Sequence, residues 1–329
     1  MWRGQHRQVI WGVAAHAEAV VGVQMWPTRR GLRQGARACW PMVGAPVGLE
    51  QSDLPTSPQA VTAVLAAQQP LRRAGLALAL NESCFRYQSI ALPAWLAGDD
   101  WHAAIVQAWS SATGLADWAL DACALSPPHP QDTPEAERIY EVVGMPRELL
   151  LEWEARLSAI GVSVLRIQPY SWALFRGWSL HLSESQAPLW LWGCDAEGLW
   201  CVGRTAAQGW CRARWPWPKT LRVPTPADKA KGIAAAQSLG VGAGALSLDQ
   251  QAVLTQALAF WDQQTQGGHS TSWRWAFCAA PGWEAVEAEL ARAMAALPQR
   301  ASASALGTVS QPHALAALGV ACGARRLLT

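Results

Sequence analysis

The residues with chemical reach in this chain are scattered. Eight cysteines lie at positions 39, 84, 123, 194, 201, 211, 278 and 322, and seven histidines at 6, 16, 102, 129, 181, 269 and 313. A zinc site asks for closely spaced pairs of Cys and His. No CxxC occurs, and no histidine stands at ligand spacing from a cysteine. The thiols sit in apolar segments, which reads as buried free cysteines in a reducing compartment. Cys194, Asp195 and Cys201 lie near one another in sequence, but a turn between two strands with ordinary buried thiols accounts for them. Asp117 and Asp121 lie four apart, so a strand puts both on one face. With no partner acid or pocket in view they read as a solvated pair rather than as a general acid and base.

Phosphate-binding loops are no better represented. The only lysines are Lys219, Lys229 and Lys231, and none follows a GxxxxGK[ST] loop. HExxH, GxSxG and SxxK are absent as well. Gly240, Gly242 and Gly244 form a GxGxG, but a predicted helix precedes it where a dinucleotide site needs a strand. A loop that ends a helix explains it better.

The chain of 329 residues is 51% hydrophobic and 15% charged, which suffices for one large or two ordinary cores and excludes disorder. A formal net charge of +2 leaves no nucleic-acid footprint on the whole chain. Twenty-one tryptophans against four phenylalanines and three tyrosines admit two readings. One is a binding surface rich in Trp anchors. The other is compositional enrichment, with Trp taking core positions that another apolar residue would hold. No secretory leader is visible, and no run of about 18 apolar residues occurs. A soluble, cytoplasmic protein is therefore expected, held at any membrane by something else.

The elements that must position these residues follow a repeated plan. Residues 9–13 and 20–25 read as strands joined by a short connection, and a further strand lies near 38–43. Ser57–Pro58 opens a helix by N-cap and first-turn proline logic, and Gly75 closes it. Strands are expected at 76–80, 85–92, 118–125 and 139–145, with a helix from Asp99 between the second and third of these. Pro146 begins a helix whose Leu150, Trp153, Leu157 and Ile160 share one face, and Gly161 ends it. A strand at 162–167 and a helix at 170–178 follow. At Pro188 the pattern restarts: strands at 189–193, 199–204 and 210–215, helices at 227–239 and 248–264, a strand at 273–279, a helix after Pro281–Gly282, and a last helix from Pro312. Each half opens with strand–turn–strand, which argues for a tandem α/β fold.

This order of elements resembles the PilM family of actin-like proteins over most of the chain. Residues 12–23 correspond to the family's first phosphate loop, G-I-D-I-G-S followed by a strand. The stretch F-R-Y-Q-S-I-A-L-P from Phe85 to Pro93 is similar to its strand entering an inserted subdomain, and residues 117–125 to its "D-Y" strand. Residues 140–170 match best, through Arg147–Glu148 and Gly161. Residues 190–209 correspond to the second phosphate loop and residues 273–297 to the adenosine loop. Gly319, Ala321 and Arg325 match the final A-x-G-L-A-x-R helix.

The resemblance implies an α/β fold of actin-like (ribonuclease H-like) duplicated domains. Domain I spans residues 1–185 with a small inserted subdomain at about 85–145, domain II spans 186–312, and a helix at 313–329 returns to domain I. It also implies a nucleotide site, whose loops depart from the pattern here. Ala14 stands for the first-loop Asp and His16 for the following Gly; the second-loop Asp falls on Trp190 or Leu191, one residue apart, and only Gly193 is kept. Ala280, Pro281 and Gly282 replace the adenosine-loop Gly pair. Magnesium needs carboxylates, directly or through water, and proline removes an N–H. No catalytic residue, metal or cofactor is therefore expected, and ATP with Mg²⁺ is not expected to bind. The family's role implies an adaptor of type IV pilus or competence assembly, peripheral to the inner membrane, that binds the N-terminal tail of a PilN-like bitopic protein and other pilus assembly proteins. The alternatives are an actin-like ATPase or a GspL-like type II secretion component.

Overall fold

The computed structural model describes residues 9–15, 19–28, 31–41, 57–68, 71, 74–96, 98–125, 136–181, 189–195, 198–204, 210–218, 246–265, 274–279, 284–295, 304–308 and 312–324. By internal contacts the chain divides into two units, Met1–Ser185 with Gln311–Thr329, and Gln186–Ser310.

The first unit opens with β1 (Ile10–Ala15), β2 (Ala19–Thr28) and β3 (Gly31–Pro41), an antiparallel meander. β3 starts well before the strand predicted near residue 38, because its Gly, Arg and Gln residues lack the apolar pattern that marks a strand. Ser57 then caps α1 (Pro58–Ala66) by accepting from the Ala60 N–H, with proline in the first turn. The helix turns off at Ala67 rather than running to Gly75. β4 (Gly75–Leu80) and β8 (Ser163–Pro169) complete a sheet of order β3-β2-β1-β4-β8, with β1, β4 and β8 parallel.

Between β4 and β8 the chain builds a separate layer. β5 (Arg86–Pro93), α2 (Gly98–Thr113), β6 (Trp118–Ala124) and β7 (Glu137–Pro146) form an antiparallel sheet, β5-β7-β6, with α2 on one face. Ile90, Leu92, Tyr140 and Val142 meet Ile105 and Trp109 of that helix. β7 runs directly into α3 (Arg147–Ala159), which Pro146 precedes and Gly161 follows at φ +77°. α4 (Tyr170–His181) follows β8.

Sequence alternation sorts the core of the first unit. In β1 and β4, Trp11, Val13, Ala15, Leu76, Leu78 and Leu80 point into one cluster with α1 and α3. Gly12, Ala14, Ala77 and Ala79 take the opposite face. There α7 (Pro312–Ala324) lies against β1, β2, β4 and β8 and beside α4. A Cβ on Gly177 would strike the Leu315 carbonyl, and one on Gly319 the Ala173 carbonyl, so the two helices touch backbone to backbone. The Tyr170 hydroxyl and His313 Nδ1 lie 2.8 Å apart near their N-termini.

The second unit repeats the plan. β9 (Leu189–Asp195), β10 (Gly198–Arg204) and β11 (Trp210–Pro216) form the meander, then α5 (Leu248–Thr265), β12 (Arg274–Ala279), α6 (Glu284–Ala295) and β13 (Ser304–Thr308) follow. The sheet order is β11-β10-β9-β12-β13, with β9, β12 and β13 parallel. β13 has no counterpart in the sequence reading, since S-A-L-G-T lacks the β-branched run that would mark it. The helix predicted at residues 227–239 lies outside the described residues.

Tryptophan occupies the cores. Trp109, Trp153, Trp190, Trp192 and Trp261 are fully buried. Trp26 and Trp95 are exposed, at 43% and 63%. The indole N–H groups of Trp11, Trp109, Trp153 and Trp192 have no hydrogen-bond partner among the described residues, which marks rings chosen for volume rather than for their polar atom. Cys194, Cys201 and Cys278 are buried, whereas Cys39 is exposed on the edge strand β3, unlike the buried thiol expected there.

Candidate functional site

Of the positions predicted to mark the nucleotide loops, Ala14, Trp190 and Gly193 fall in the β1–β2 and β9–β10 hairpins. Ala14 pairs with Val21 of β2 and Ala79 of β4 and has no exposed surface. Its methyl carries no oxygen for a cation, and its place on the α7 face leaves room only for a small side chain. Trp190 is likewise fully buried, in a cluster with residues of α5 and α6. It stands opposite Gly203, where an added Cβ would come within 2.5 Å of the indole. Gly193 stands opposite Trp200, whose ring fills the space a side chain would need. Asp195 closes the hairpin ladder against Gly198. His16, Pro281 and Gly282 lie outside the described residues.

A second cluster forms where the β5-β7-β6 sheet meets the rest of the first unit. Pleating puts Glu141, Cys123 and Asp121 on the face turned away from α2, with Ser89, Ala91 and Ile139. Ser89, Ala91 and Ile139 are exposed, Ile139 at 50%, whereas Glu141 is buried. Arg166 of β8 lies 3.9 Å from Asp121. Burial first, and then the Glu141 and Asp121 carboxylates, against the opposing Arg176 of α4, push the Cys123 thiol up to about 11. The face thus carries acidic groups beside two arginines and an apolar, open end.

The junction is tied at two levels. Asp117 pairs with Arg147 at 2.9 Å, with both side chains largely in water. Glu82 is only 2% exposed. Its Oε1 accepts from the Ser171 N–H at 2.8 Å and its Oε2 from the Tyr87 hydroxyl at 2.5 Å. The solvated pair read from the sequence is exposed as described, but Arg147 and Arg166 stand against it. Glu82, Cys123, Glu141, Arg166 and Arg176 were not singled out from sequence. The signal available was a glutamate just after an all-apolar strand, and it gains meaning only with its partner 89 residues away. Among the described residues no group of His, Cys, Asp and Glu could hold a metal ion, and no helix is long and apolar enough to cross a membrane.

No family model matches the chain, and no curated protein matches it significantly. Solved structures do. A chain of a PilM–PilN type IV pilus biogenesis complex is similar at a TM-score of 0.65 with 14% identity, covering 99% of this chain and 100% of that one. A Bacteroides thetaiotaomicron protein of unknown function with an actin-like ATPase fold is similar at 0.50 with 7% identity and 96% of each chain covered. The cytoplasmic domain of EpsL, an inner-membrane component of the type II secretion system of Vibrio cholerae, superposes at 0.47 with 12% identity over 98% of both. The chain has the actin-like fold.

Proposed function

We propose that this chain is a cytoplasmic adaptor of a type IV pilus assembly complex. It holds the N-terminal tail of a PilN-like bitopic inner-membrane protein and does not hydrolyse ATP. The observation that carries the reading is the end-to-end similarity to a chain of a PilM–PilN complex, with 99% and 100% of the two chains covered at a TM-score of 0.65. Attachment to the membrane then comes from the partner.

The loss of the nucleotide site has support in the packing. Ala14, and Trp190 or Leu191, stand where the resemblance calls for carboxylates, and all three are core residues with no exposure. Gly193 is kept, but Trp200 covers it. His16, Pro281 and Gly282 complete the set of altered positions.

The tail is assigned to the junction of the β5-β7-β6 sheet with β8 and α4. An extended peptide binds through main-chain pairing and a few side-chain pockets. β5 and β6 are the edges of that sheet, and the face bearing Ser89, Ala91 and Ile139 is open beside the Asp121, Glu141, Arg166 and Arg176 charges. Ordering a short tail costs free energy, so micromolar affinity is expected, about 6–10 kcal/mol. The test titrates a labelled peptide of the first ten to fifteen residues (roughly the reach of one groove) into the protein, with a scrambled peptide as control. Saturable binding of the native order alone is expected. Equal weak binding of both peptides overturns the proposal.

A further inference from the structure

We infer that Glu82 is a positioning residue that sets the angle between the β5-β7-β6 sheet and α4. Its effect on tail affinity rests on the adaptor reading, whereas its effect on the free protein does not. The chain leaves β4 at Leu80 and enters β5 at Arg86, with one short turn, Glu82–Cys84, between them. Asn81 fixes that turn by accepting from the Ser83 N–H at 2.9 Å. This aims the Glu82 side chain inward, where it is 2% exposed. One carboxylate oxygen then takes the N–H of Ser171, the second residue of α4, and the other takes the hydroxyl of Tyr87, the second residue of β5. A helix N-terminus favours a negative charge that satisfies a free N–H. The helix here receives it from 89 positions away.

The Arg147–Asp117 pair is 57% and 80% exposed, and such pairs contribute little. Asp121 is 76% exposed and 3.9 Å from Arg166. Glu82 combines burial with two charge-assisted hydrogen bonds, one to β5 and one to α4. β7 passes straight into α3 through Pro146, a stiff second hinge point. Rotation of the sheet about these two strands opens or closes the face bearing Ala91, Ile139 and Glu141. The Glu82 bridge opposes it.

Three variants separate positioning from general support of the fold. Tyr87→Phe removes one hydroxyl and keeps the ring. Glu82→Ala removes both hydrogen bonds. Glu82→Gln keeps an acceptor for Ser171 and a donor for Tyr87, and serves as the conservative rescue. Hydrogen exchange of the free full-length protein is the first readout. Tyr87→Phe and Glu82→Ala are expected to speed exchange in β5 and β7 by about tenfold or more, with β1 and β4 unchanged and Glu82→Gln close to the wild type. The double variant Glu82→Ala/Tyr87→Phe should be no faster in β5 than Glu82→Ala alone, since the two residues share one interaction. In the tail titration the same order of variants should weaken binding, by about tenfold for Tyr87→Phe. Unchanged exchange in Tyr87→Phe, or equal acceleration throughout the first unit, overturns the inference even if Glu82→Ala fails to fold. If the wild type binds no tail, the adaptor reading falls, and the exchange pattern still decides the role of Glu82.

Discussion

The two five-stranded sheets share one strand order and fill the space around their central strands differently. In the first unit the inner strands turn Gly12, Ala14, Ala77 and Ala79 toward α7, and the helix comes close because those side chains are small. The helix pair itself goes further, with Gly177 and Gly319 allowing backbone to meet backbone. In the second unit Trp190 and Trp192 of β9 pack toward α5 and α6, with Trp190 over Gly203, while Trp200 of β10 lies on the other face over Gly193. The first sheet therefore carries small residues under a helix on its inner strands and keeps an indole over glycine farther out, where Trp40 crowds Gly22; the second keeps indoles over glycine at its centre. In both units a residue with no exposed surface, Ala14 or Trp190, occupies a hairpin to which the resemblance assigns a phosphate loop.

Four substitutions can break or sharpen this comparison. The largest effect belongs to Ala14→Asp. An unpaired carboxylate at a position with no exposure should cost about 3–5 kcal/mol in a denaturant unfolding curve. A chain that tolerates Ala14→Asp without loss would return this position to the candidate cation site. Next comes Gly319→Ala, whose new methyl meets a backbone carbonyl that cannot swing aside; a loss of about 3 kcal/mol is expected. Gly193→Ala should cost less, about 1–2 kcal/mol, because the obstacle is a side chain. Its cost should shrink in a Trp200→Leu background, which would show that the ring over the glycine is the cause. Trp192→Phe should cost only about 1 kcal/mol, well below an ordinary loss of buried tryptophan, since the variant also removes an N–H that has no partner among the described residues.

The smallest effect is chemical. The Cys123 thiol is raised to about 11, first by burial. A group held protonated in the folded state adds stability that is complete below its unfolded value and fades as pH climbs through the folded one. Stability should therefore fall between roughly pH 9 and 11 with a slope that Cys123→Ala reduces. In thiol labelling near pH 8, Cys39, exposed on β3, should react well before Cys123.

What the sequence disclosed follows from how local each signal is. The Ser57–Pro58 start, the Gly161 stop and the Trp153–Leu157 face of α3 are set by a few neighbouring residues, and the structure has them in place. β13 and the first half of β3 are strands only because a neighbour pairs with them, so Ser304–Thr308 and the Gly–Arg–Gln stretch of β3 left no mark. The order of elements carried the actin-like fold through the resemblance where no single motif did. The junction was hidden for a different reason. Glu82 with Ser171, and Arg166 with Asp121, are pairs far apart in sequence, and nothing in either member alone announces the other.

A thermal melt of the full chain with two ligands tests the central claim most directly. Saturating ligand stabilises the state that binds it, by about 2.7 kcal/mol at a hundredfold excess over Kd. The account predicts a higher Tm with the PilN-like tail peptide and no change with millimolar Mg-ATP. A magnesium-dependent rise with ATP and none with the tail would contradict it.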